Sequence, residues 1–512
     1  MPHAATTAVP GRPAQPRAGA LQSLGVLLPL LVLLGAVIRV LYLDRQSLWF
    51  DEGVGLIFSG CERLSGCLDA MLNTRTSEKF QFVYPLLLHF WREMFGSSEI
   101  ALRSLSVVFN VGAIAFVGLA ARRAFGSAHA AWSLAFMAFS GFTLVHAQEA
   151  RPYTFFLLIA AAQIWLLLSA REGGAAARIG FYVATAFASW AGVFPVLFSV
   201  ALAVADLLDR RLSWRTVWRW LLWWLPVGLL CLPAVFYYAQ ALMSTAPDEV
   251  LVPRSHQPLL NLAFMVYGQL VGQTYGPPVE ALRGTERFDA LLASAPLLLI
   301  LAAVLACGVL LAIRLWRQGA WRNEPRVRFL AFAALSYCAL LAIFVALTQH
   351  NLLPRHAIAL HALIALLLPC LIAPHARRAG TGLVVALLAL NLVAVGRQYF
   401  DPSQWKDDYR GAAAYLREVG EPKHRVLLLR GLPILFAYYG YEGMTVVMDP
   451  PRDRVRAAVA KAIGDRQELV IVVNRESDLW PEGWLETDLA PTLRLVQTRE
   501  LPYFSIYTFA RR

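Results

Sequence analysis

Long apolar runs, separated by short polar connectors, fill most of the sequence between residues 21 and 398. The run 21–43 is typical, because about 20 apolar residues in a helix are needed to cross roughly 30 Å of hydrocarbon. The chain is 58% hydrophobic and 16% charged, with a mean hydropathy of +0.53. A soluble domain is about half apolar and a quarter charged. The pattern therefore predicts a polytopic α-helical membrane protein of about 11 spans, with about 13 as an upper bound.

The basic residues of this apolar region are concentrated in alternate connectors. These connectors lie at 122–123, 171–178, 210–219, 314–328 and 377–378. Cytoplasmic connectors are enriched in Lys and Arg, so we expect them and the N-terminal tail 1–20 on the cytoplasmic side of a bacterial inner membrane. The transmembrane domain 21–398 then has outer loops at 44–98 and 242–289. The same placement of charge argues against nucleic-acid binding, despite a net charge of +12.

From residue 399 to 512 the pattern changes, and this segment is expected on the periplasmic or other extracytoplasmic side. Runs typical of strands occur at 425–429, 445–448, 469–473, 493–496 and 503–509, and helical periods at 407–419 and 453–463. Strands that alternate with helices predict a small α/β domain. It has no Gly-rich phosphate loop, so we assign it no nucleotide site. In the first outer loop, the amphipathic stretch 84–95 is too short to cross and predicts an interfacial or re-entrant helix.

Two carboxylates, Asp51 and Glu52, follow the first predicted span. A carboxylate held against low-dielectric surroundings can serve as a general base or orient a nucleophile. The alternative interpretation is a solvated acidic pair at the end of a helix. The dipeptide alone does not separate the two.

Further polar groups lie at other predicted outer span ends. Glu78 and Lys79 precede the interfacial helix, and Lys79 suits either a snorkelling anchor or a ligand for a lipid-linked phosphate. The turn 146–153 concentrates His, Gln, Glu, Arg and Tyr at a span junction. Arg355, followed by His356, is a candidate anion ligand; the alternative is an arginine that snorkels to phospholipid headgroups.

Cys61 and Cys67 share the first outer loop, on the side expected to be oxidising. We expect a local disulfide there, with two free thiols as the alternative. No zinc or P-loop pattern occurs, and no cofactor is required by the sequence. A divalent metal between Glu78 and a distant histidine such as His256 stays open.

Five segments, in this order along the chain, resemble those of the GT-C membrane glycosyltransferases of the protein-mannosyltransferase-like type, which include the aminoarabinose transferases of lipid A. The segments are 48–52 (LWFDE), 84–91 (YPLLLHFW) followed by 95–103 (FGSSEIALR), 148–153 (QEARPY), 353–356 (LPRH) and 407–416 (DDYRGAAAYL). Two departures are a single Pro85 where the family often has Pro-Pro, and Arg355-His356 where it often has Arg-Tyr. The resemblance implies the GT-C fold, in which a C-terminal α/β domain follows the spans.

The resemblance also implies a transferase that moves a sugar from a polyprenyl-phosphate donor to an acceptor hydroxyl at the outer leaflet. Asp51 and Glu52 would be the catalytic carboxylates, with Asp51 deprotonating or orienting the acceptor. The donor phosphate would be held by Lys79, Arg151 and Arg355, and the pocket would be shaped by Glu78, Glu149, Tyr153 and His356. The acceptor would be an envelope lipid, a polysaccharide or a protein.

A many-span transporter or flippase of a lipid or saccharide is the alternative function. Few charges lie inside the predicted spans, and no two similar halves with interrupted helices are found, which argues against transport.

Overall fold

The structure is a computed structural model that describes most of the chain. The described residues are 18–74, 76–81, 83–210, 213–243, 258–279, 281–282, 287–321, 324–348, 352–419, 425–448, 451–464, 467–476, 479–481 and 483–512. Most of the N-terminal tail, residues 244–257 of the second predicted outer loop, and His256 with them lie outside these ranges.

Ten helices lie in the described residues of the N-terminal half of the transmembrane domain. They are α1 (Ala18–Val40), α2 (Phe50–Ser59), α3 (Leu64–Asn73), α4 (Val83–Phe95), α5 (Glu99–Phe125), α6 (Ser127–Phe139), α7 (Gly141–Ala147), α8 (Tyr153–Arg171), α9 (Ala175–Ala191) and α10 (Val193–Leu208). A short 3-10 helix, Ser77–Phe80, precedes α4.

Seven helices follow in the second half of this domain, as far as the structure describes it. They are α11 (Trp214–Met243), α12 (Pro258–Val271), α13 (Arg287–Ala293), α14 (Ala295–Arg317), α15 (Pro325–Thr348), α16 (Ile358–Leu367) and α17 (Arg377–Phe400). The 3-10 turn Pro354–Ala357 leads directly into α16.

Seven helical segments in the described part of the chain are long and apolar enough to cross a membrane. An eighth span results if α6 and α7, which meet at a 55° bend, form one broken span, and three further apolar helices are shorter. Large apolar side chains on α1 and α14 are exposed, such as Leu30 (53%) and Leu299 (69%), as expected for faces that contact lipid. The chain is a multi-pass membrane protein, and the number of about 11 spans stays a prediction.

The basic connectors meet at one end of the helix bundle. Glu172 is paired with Arg123 (2.7 Å) and Arg326 (3.0 Å), and Asp209 is paired with Arg171 (2.5 Å) and Arg328 (2.7 Å). These pairs bring together four connectors that are far apart in sequence. Their shared position is what connectors on one common side of the membrane require.

The first predicted outer loop is mostly helical. The predicted amphipathic stretch forms helix α4. Two further helices in this loop, α2 and α3, were not predicted. Asp51 and Glu52 lie in the first turn of α2 instead of in a connector. An anionic side chain is favoured in that position by the positive end of the helix dipole.

The C-terminal segment forms the predicted α/β domain. Its strands are β1 (Arg425–Arg430), β2 (Thr445–Val446), β3 (Glu468–Asn474), β4 (Leu493–Leu501) and β5 (Phe504–Arg511), and its helices are α18 (Tyr409–Val419), α19 (Pro433–Tyr438), α20 (Arg452–Ile463) and α21 (Trp484–Leu489). The sheet order is β2-β1-β3-β5-β4. The pairs β1–β2 and β1–β3 are parallel, while β5 is antiparallel to β3 and β4. Helices α19 and α21 were not predicted.

Both faces of the sheet are buried, because successive side chains of a strand point in opposite directions. Val426 and Val470 face α18 and α19, in a core that is continuous with the transmembrane domain. Leu427 and Ile471 face α20 and α21 in a separate core. At the boundary, a Cβ on Gly53 of α2 would lie 2.8 Å from side-chain atoms of α19, so the two domains are in close contact there.

Candidate active site

Helix α2 presents Asp51, and Glu52 holds that helix in place. The carboxylate of Glu52 is buried, and both oxygens accept hydrogen bonds from Arg103, at 2.8 and 2.7 Å. It also accepts backbone N–H bonds from Trp49 (3.3 Å) and Ala150 (2.8 Å). Because four donors occupy it, Glu52 ties α2, α5 and the turn before α8 together.

Asp51 is more open and lies next to a cation. Its Oδ2 is 2.9 Å from Nη1 of Arg355, and the two side chains are 21% and 24% exposed. The two atoms are close enough for an ion pair but are not aligned as a hydrogen bond. Nε of Arg355 is buried and has no hydrogen-bond partner among the described residues. The rings of Tyr153 and Trp49 flank the guanidinium, at 5.4 and 5.9 Å. Arg355 therefore has hydrogen-bonding capacity that its protein contacts do not use.

Arg151 joins the segment of Glu78 and Lys79 to this site. It donates to both oxygens of Glu78, at 2.8 and 3.3 Å, and to the backbone carbonyl of Asp51 at 3.1 Å. Lys79 is buried beside Glu78 in the 3-10 helix, where its ammonium lies 5.7 Å from the centre of the Phe80 ring. Lys79 therefore neighbours Glu78, which Arg151 links to the backbone of Asp51.

Glu149 binds a lysine that comes from the start of the C-terminal domain. Its carboxylate is paired with Lys406 and accepts a bond from His146 at 3.1 Å. Burial opposes ionisation, but the positive charge of Lys406 and the hydrogen bonds outweigh it and lower the pKa of Glu149 well below its ordinary value. Glu149 is therefore a permanent anion at neutral pH that fixes Lys406 over the ring of Trp49, 4.6 Å away.

A third cation, Arg475, reaches the same indole from the end of β3. Its guanidinium lies 5.8 Å from the Trp49 ring and 4.9 Å from that of Tyr503. It is ion-paired with Asp407, at 2.9 Å. Burial opposes the charged form, yet Asp407 raises the pKa of Arg475 above its ordinary value.

The sequence did not single out Trp49, Lys406 or Arg475 as site residues. It also gave no role to Arg103. Trp49 and Arg103 fall inside quoted motifs, and Lys406 precedes one, so the motifs offered a signal for these three. Arg475 lies in no motif, and only the fold brings it to the site.

His356 contributes to a neighbouring crevice. Its ring stacks on that of Phe194 with 4.8 Å between centres, and its Nδ1 accepts a bond from the N–H of Leu353 at 3.2 Å. The crevice beside it is also lined by Phe156 and Tyr337. Although His356 follows Arg355 in sequence, its ring packs among aromatic side chains in this crevice.

The predicted disulfide between Cys61 and Cys67 is present, with 5.4 Å between the Cα atoms. It closes the connector between α2 and α3. Within the described ranges, no three His, Cys, Asp or Glu side chains are grouped as a metal site. His256, the other half of the metal pair that the sequence left open, lies outside them.

No family model and no curated protein matches the sequence. Among solved structures, the chain is similar to ArnT from Cupriavidus metallidurans in the apo state, with a TM-score of 0.53, 13% identity, and coverage of 96% of this chain and 98% of that one. It is also similar to ArnT from the same organism bound to undecaprenyl phosphate, with a TM-score of 0.51, 14% identity and coverage of 94% and 97%. At this identity the likeness establishes the fold. The chain has the GT-C fold of membrane glycosyltransferases, as the five sequence motifs led us to expect.

Proposed function

We propose that the protein is a membrane glycosyltransferase that moves a sugar from a polyprenyl-phosphate donor to an acceptor hydroxyl at the outer membrane face. The observation that carries the proposal is the pairing of Asp51 with Arg355, at 2.9 Å. A carboxylate that can accept a proton lies beside a cation that can hold a phosphate. Sugar transfer from a phosphate carrier needs both groups within one site.

The chemistry follows from these two side chains. The acceptor oxygen attacks the anomeric carbon, and its proton passes to Asp51. The bond from that carbon to the phosphate oxygen breaks, and the electron pair stays on the phosphate. Arg355 binds the phosphate with its guanidinium, whose Nε–H has no partner among the described residues, and its charge stabilises the leaving group as negative charge grows. Attack from the face opposite the phosphate inverts the anomeric centre.

The position of the site suits a donor with a long lipid tail. Helix α8 begins at Tyr153, beside Arg355, and ends at Arg171, among the basic connectors. Its 19 residues span about 28 Å, roughly the hydrocarbon thickness of a membrane. With the basic connectors in the cytoplasm, Asp51 and the C-terminal domain lie on the outer side. The ArnT structure bound to undecaprenyl phosphate supports a polyprenyl-phosphate donor.

In this proposal the other predicted residues take supporting roles. Arg151, held by Glu78, adds positive charge next to Asp51, and Lys79 is carried by the same segment. Glu149 holds Lys406, and Tyr153 packs against Arg355. Glu52 acts by positioning α2, so the proton acceptor is Asp51 alone.

The decisive experiment is sugar transfer by the purified protein in proteoliposomes. The donors are radiolabelled sugars on undecaprenyl phosphate, and the acceptors come from a bacterial envelope extract. Asp51→Asn is expected to lower the rate of transfer about 10²- to 10⁴-fold, the usual contribution of a general base. Asp69→Asn, an exposed aspartate on α3, is the matched control and keeps the wild-type rate.

Full transfer by a folded Asp51→Asn variant would refute the mechanism. If the labelled lipid or saccharide instead crosses the bilayer without transfer, the transporter or flippase alternative is supported.

A further inference from the structure

Asp407 connects the C-terminal domain to the helix that carries Asp51. It opens the motif 407–416, for which the proposed reaction has no role. Its side chain is fully buried, and its Oδ2 accepts a hydrogen bond of 3.3 Å from the backbone N–H of Phe50, the first residue of α2. The side chain of Trp49, the N-cap residue of α2, makes no capping hydrogen bond to the described residues of this helix. A carboxylate from another domain thus satisfies one of the N–H groups that a helix N-terminus leaves open.

The carboxylate of Asp407 is itself fixed from the other side. Arg475 donates to both of its oxygens, at 2.9 and 3.2 Å, and Asn474 donates at 3.3 Å. Arg475 has a φ of +52°, a left-handed conformation that is uncommon for a residue with a side chain. Strained backbone of this kind is retained where the surroundings over-determine it, and it is common at functional sites.

The same junction also fixes the backbone before α2. Ser47 donates its hydroxyl hydrogen to the carbonyl of Asp407 at 2.7 Å and accepts from the N–H of Tyr409 at 3.1 Å. The N–H of Leu48 donates to the hydroxyl of Tyr439 at 2.6 Å. Hydrogen bonds from the C-terminal domain therefore hold three of the four residues immediately before Asp51, and Lys406 and Arg475 contact the ring of the fourth, Trp49.

We propose that Asp407 and Arg475 are a positioning pair through which the C-terminal domain sets the orientation of Asp51 and Trp49. The site is then built across two domains: the transmembrane domain supplies Asp51 and Arg355, and the C-terminal domain holds the start of α2. Neither Asp407 nor Arg475 takes part in bond breaking. The inference rests on the proposed function for its catalytic consequence, while its structural part concerns α2 alone.

The first test is kinetic. Asp407→Asn removes the charge that pairs with Arg475 and puts an NH2 group, which cannot accept, in place of one carboxylate oxygen, so the hold on the start of α2 is weakened. A misplacement of about 1 Å costs on the order of 10²-fold in rate. We expect kcat for sugar transfer to fall about tenfold to a hundredfold, with KM for the donor changed less than threefold. Arg475→Lys, which keeps the positive charge, should lose less activity than Arg475→Ala.

The matched control is Tyr438→Phe. This change removes another hydrogen bond between the two domains, from the Tyr438 hydroxyl to the carbonyl of Ser97 at 2.8 Å, without touching α2. It should leave kcat unchanged. Equal kcat in Asp407→Asn and Tyr438→Phe, or a loss in Asp407→Asn that matches its loss of folded protein, would overturn the proposal.

The second test does not depend on catalysis. Hydrogen exchange of the protein in lipid nanodiscs, followed by mass spectrometry, reports the amides of residues 47–53. Asp407→Asn should speed their exchange at least tenfold, and Tyr438→Phe should not. Faster exchange without any transfer by the wild type would keep the positioning pair and reject the proposed function. Unchanged exchange would reject the positioning pair, whatever the activity.

Discussion

The carboxylate of Asp51 lies 2.9 Å from the guanidinium of Arg355, so the first turn of α2 meets the turn that precedes α16. In sequence, one of these residues lies near the beginning of the transmembrane domain and the other near its end. Their pairing is partial, since the atoms are not aligned as a hydrogen bond and, in the part of the chain that the structure describes, Nε of Arg355 has no hydrogen-bond partner. A phosphate can therefore replace Asp51 as the partner of Arg355, which leaves the carboxylate available to the acceptor.

Arg355→Ala should weaken binding of undecaprenyl phosphate. A charge-assisted hydrogen bond to a phosphate contributes about 1.5–3 kcal/mol, so we expect Kd to rise roughly 10- to 100-fold. Arg355→Lys should show a smaller rise, because an ammonium cannot bind a phosphate in the bidentate manner of a guanidinium. Binding can be measured by native mass spectrometry of the protein in nanodiscs.

Arg454, exposed on α20, provides the control for this measurement. Arg454→Ala should bind undecaprenyl phosphate as the wild type does. Equal Kd values for Arg355→Ala and Arg454→Ala would show that Arg355 does not bind the phosphate.

Glu52→Gln should destabilise the protein through Arg103. Removing one partner of a buried ion pair leaves the other charge uncompensated and costs about 3–5 kcal/mol. The double variant Glu52→Gln/Arg103→Gln should lose less than the sum of the two single losses, because neither charge is then left alone. Thermal unfolding in detergent measures the three variants. Additive losses would mean that the pair does not stabilise α2.

The pH dependence of the stability of Glu149→Gln tests the ion pair between Glu149 and Lys406. The pKa of Glu149 is lowered in the folded protein, so its stabilising contribution is complete above the ordinary glutamate pKa of 4.5 and is lost as pH falls towards the folded value. The difference in Tm between wild type and Glu149→Gln should stay constant from pH 8 to pH 6. It should shrink below about pH 4.5. A gap that already narrows between pH 8 and pH 6 would contradict the lowered pKa.

The double variant Cys61→Ser/Cys67→Ser should lose the constraint on the connector between α2 and α3. Closing so short a loop contributes about 2 kcal/mol in the chain-entropy model. The expected result is a lower Tm that matches the wild type treated with dithiothreitol. Mass spectrometry of natively isolated protein should find both thiols bonded in the wild type, and two free thiols there would reject the disulfide.

The sequence contained enough information for the class of fold and for most of the C-terminal domain. Apolar runs identify spans because the membrane imposes a fixed length, and strands such as β1 and β3 are identified by continuous apolar runs between polar breaks. Helices α2 and α19 escaped prediction. Both are short, and their stability comes from packing against each other across the domain boundary, which has no local signature.

The adjacent carboxylates Asp51 and Glu52 show the same division. The sequence by itself determined that Asp51 and Glu52 follow the first span, and the basic connectors predicted their side of the membrane. It could not separate their roles, because adjacent residues on a helix point in different directions. Tertiary structure directs Glu52 into Arg103 and Asp51 towards Arg355, and it brings Lys406 and Arg475 to Trp49. Glu52 and Arg103 are 51 residues apart, and the other three contacts join segments hundreds of residues apart. Only the folded chain makes these residues neighbours.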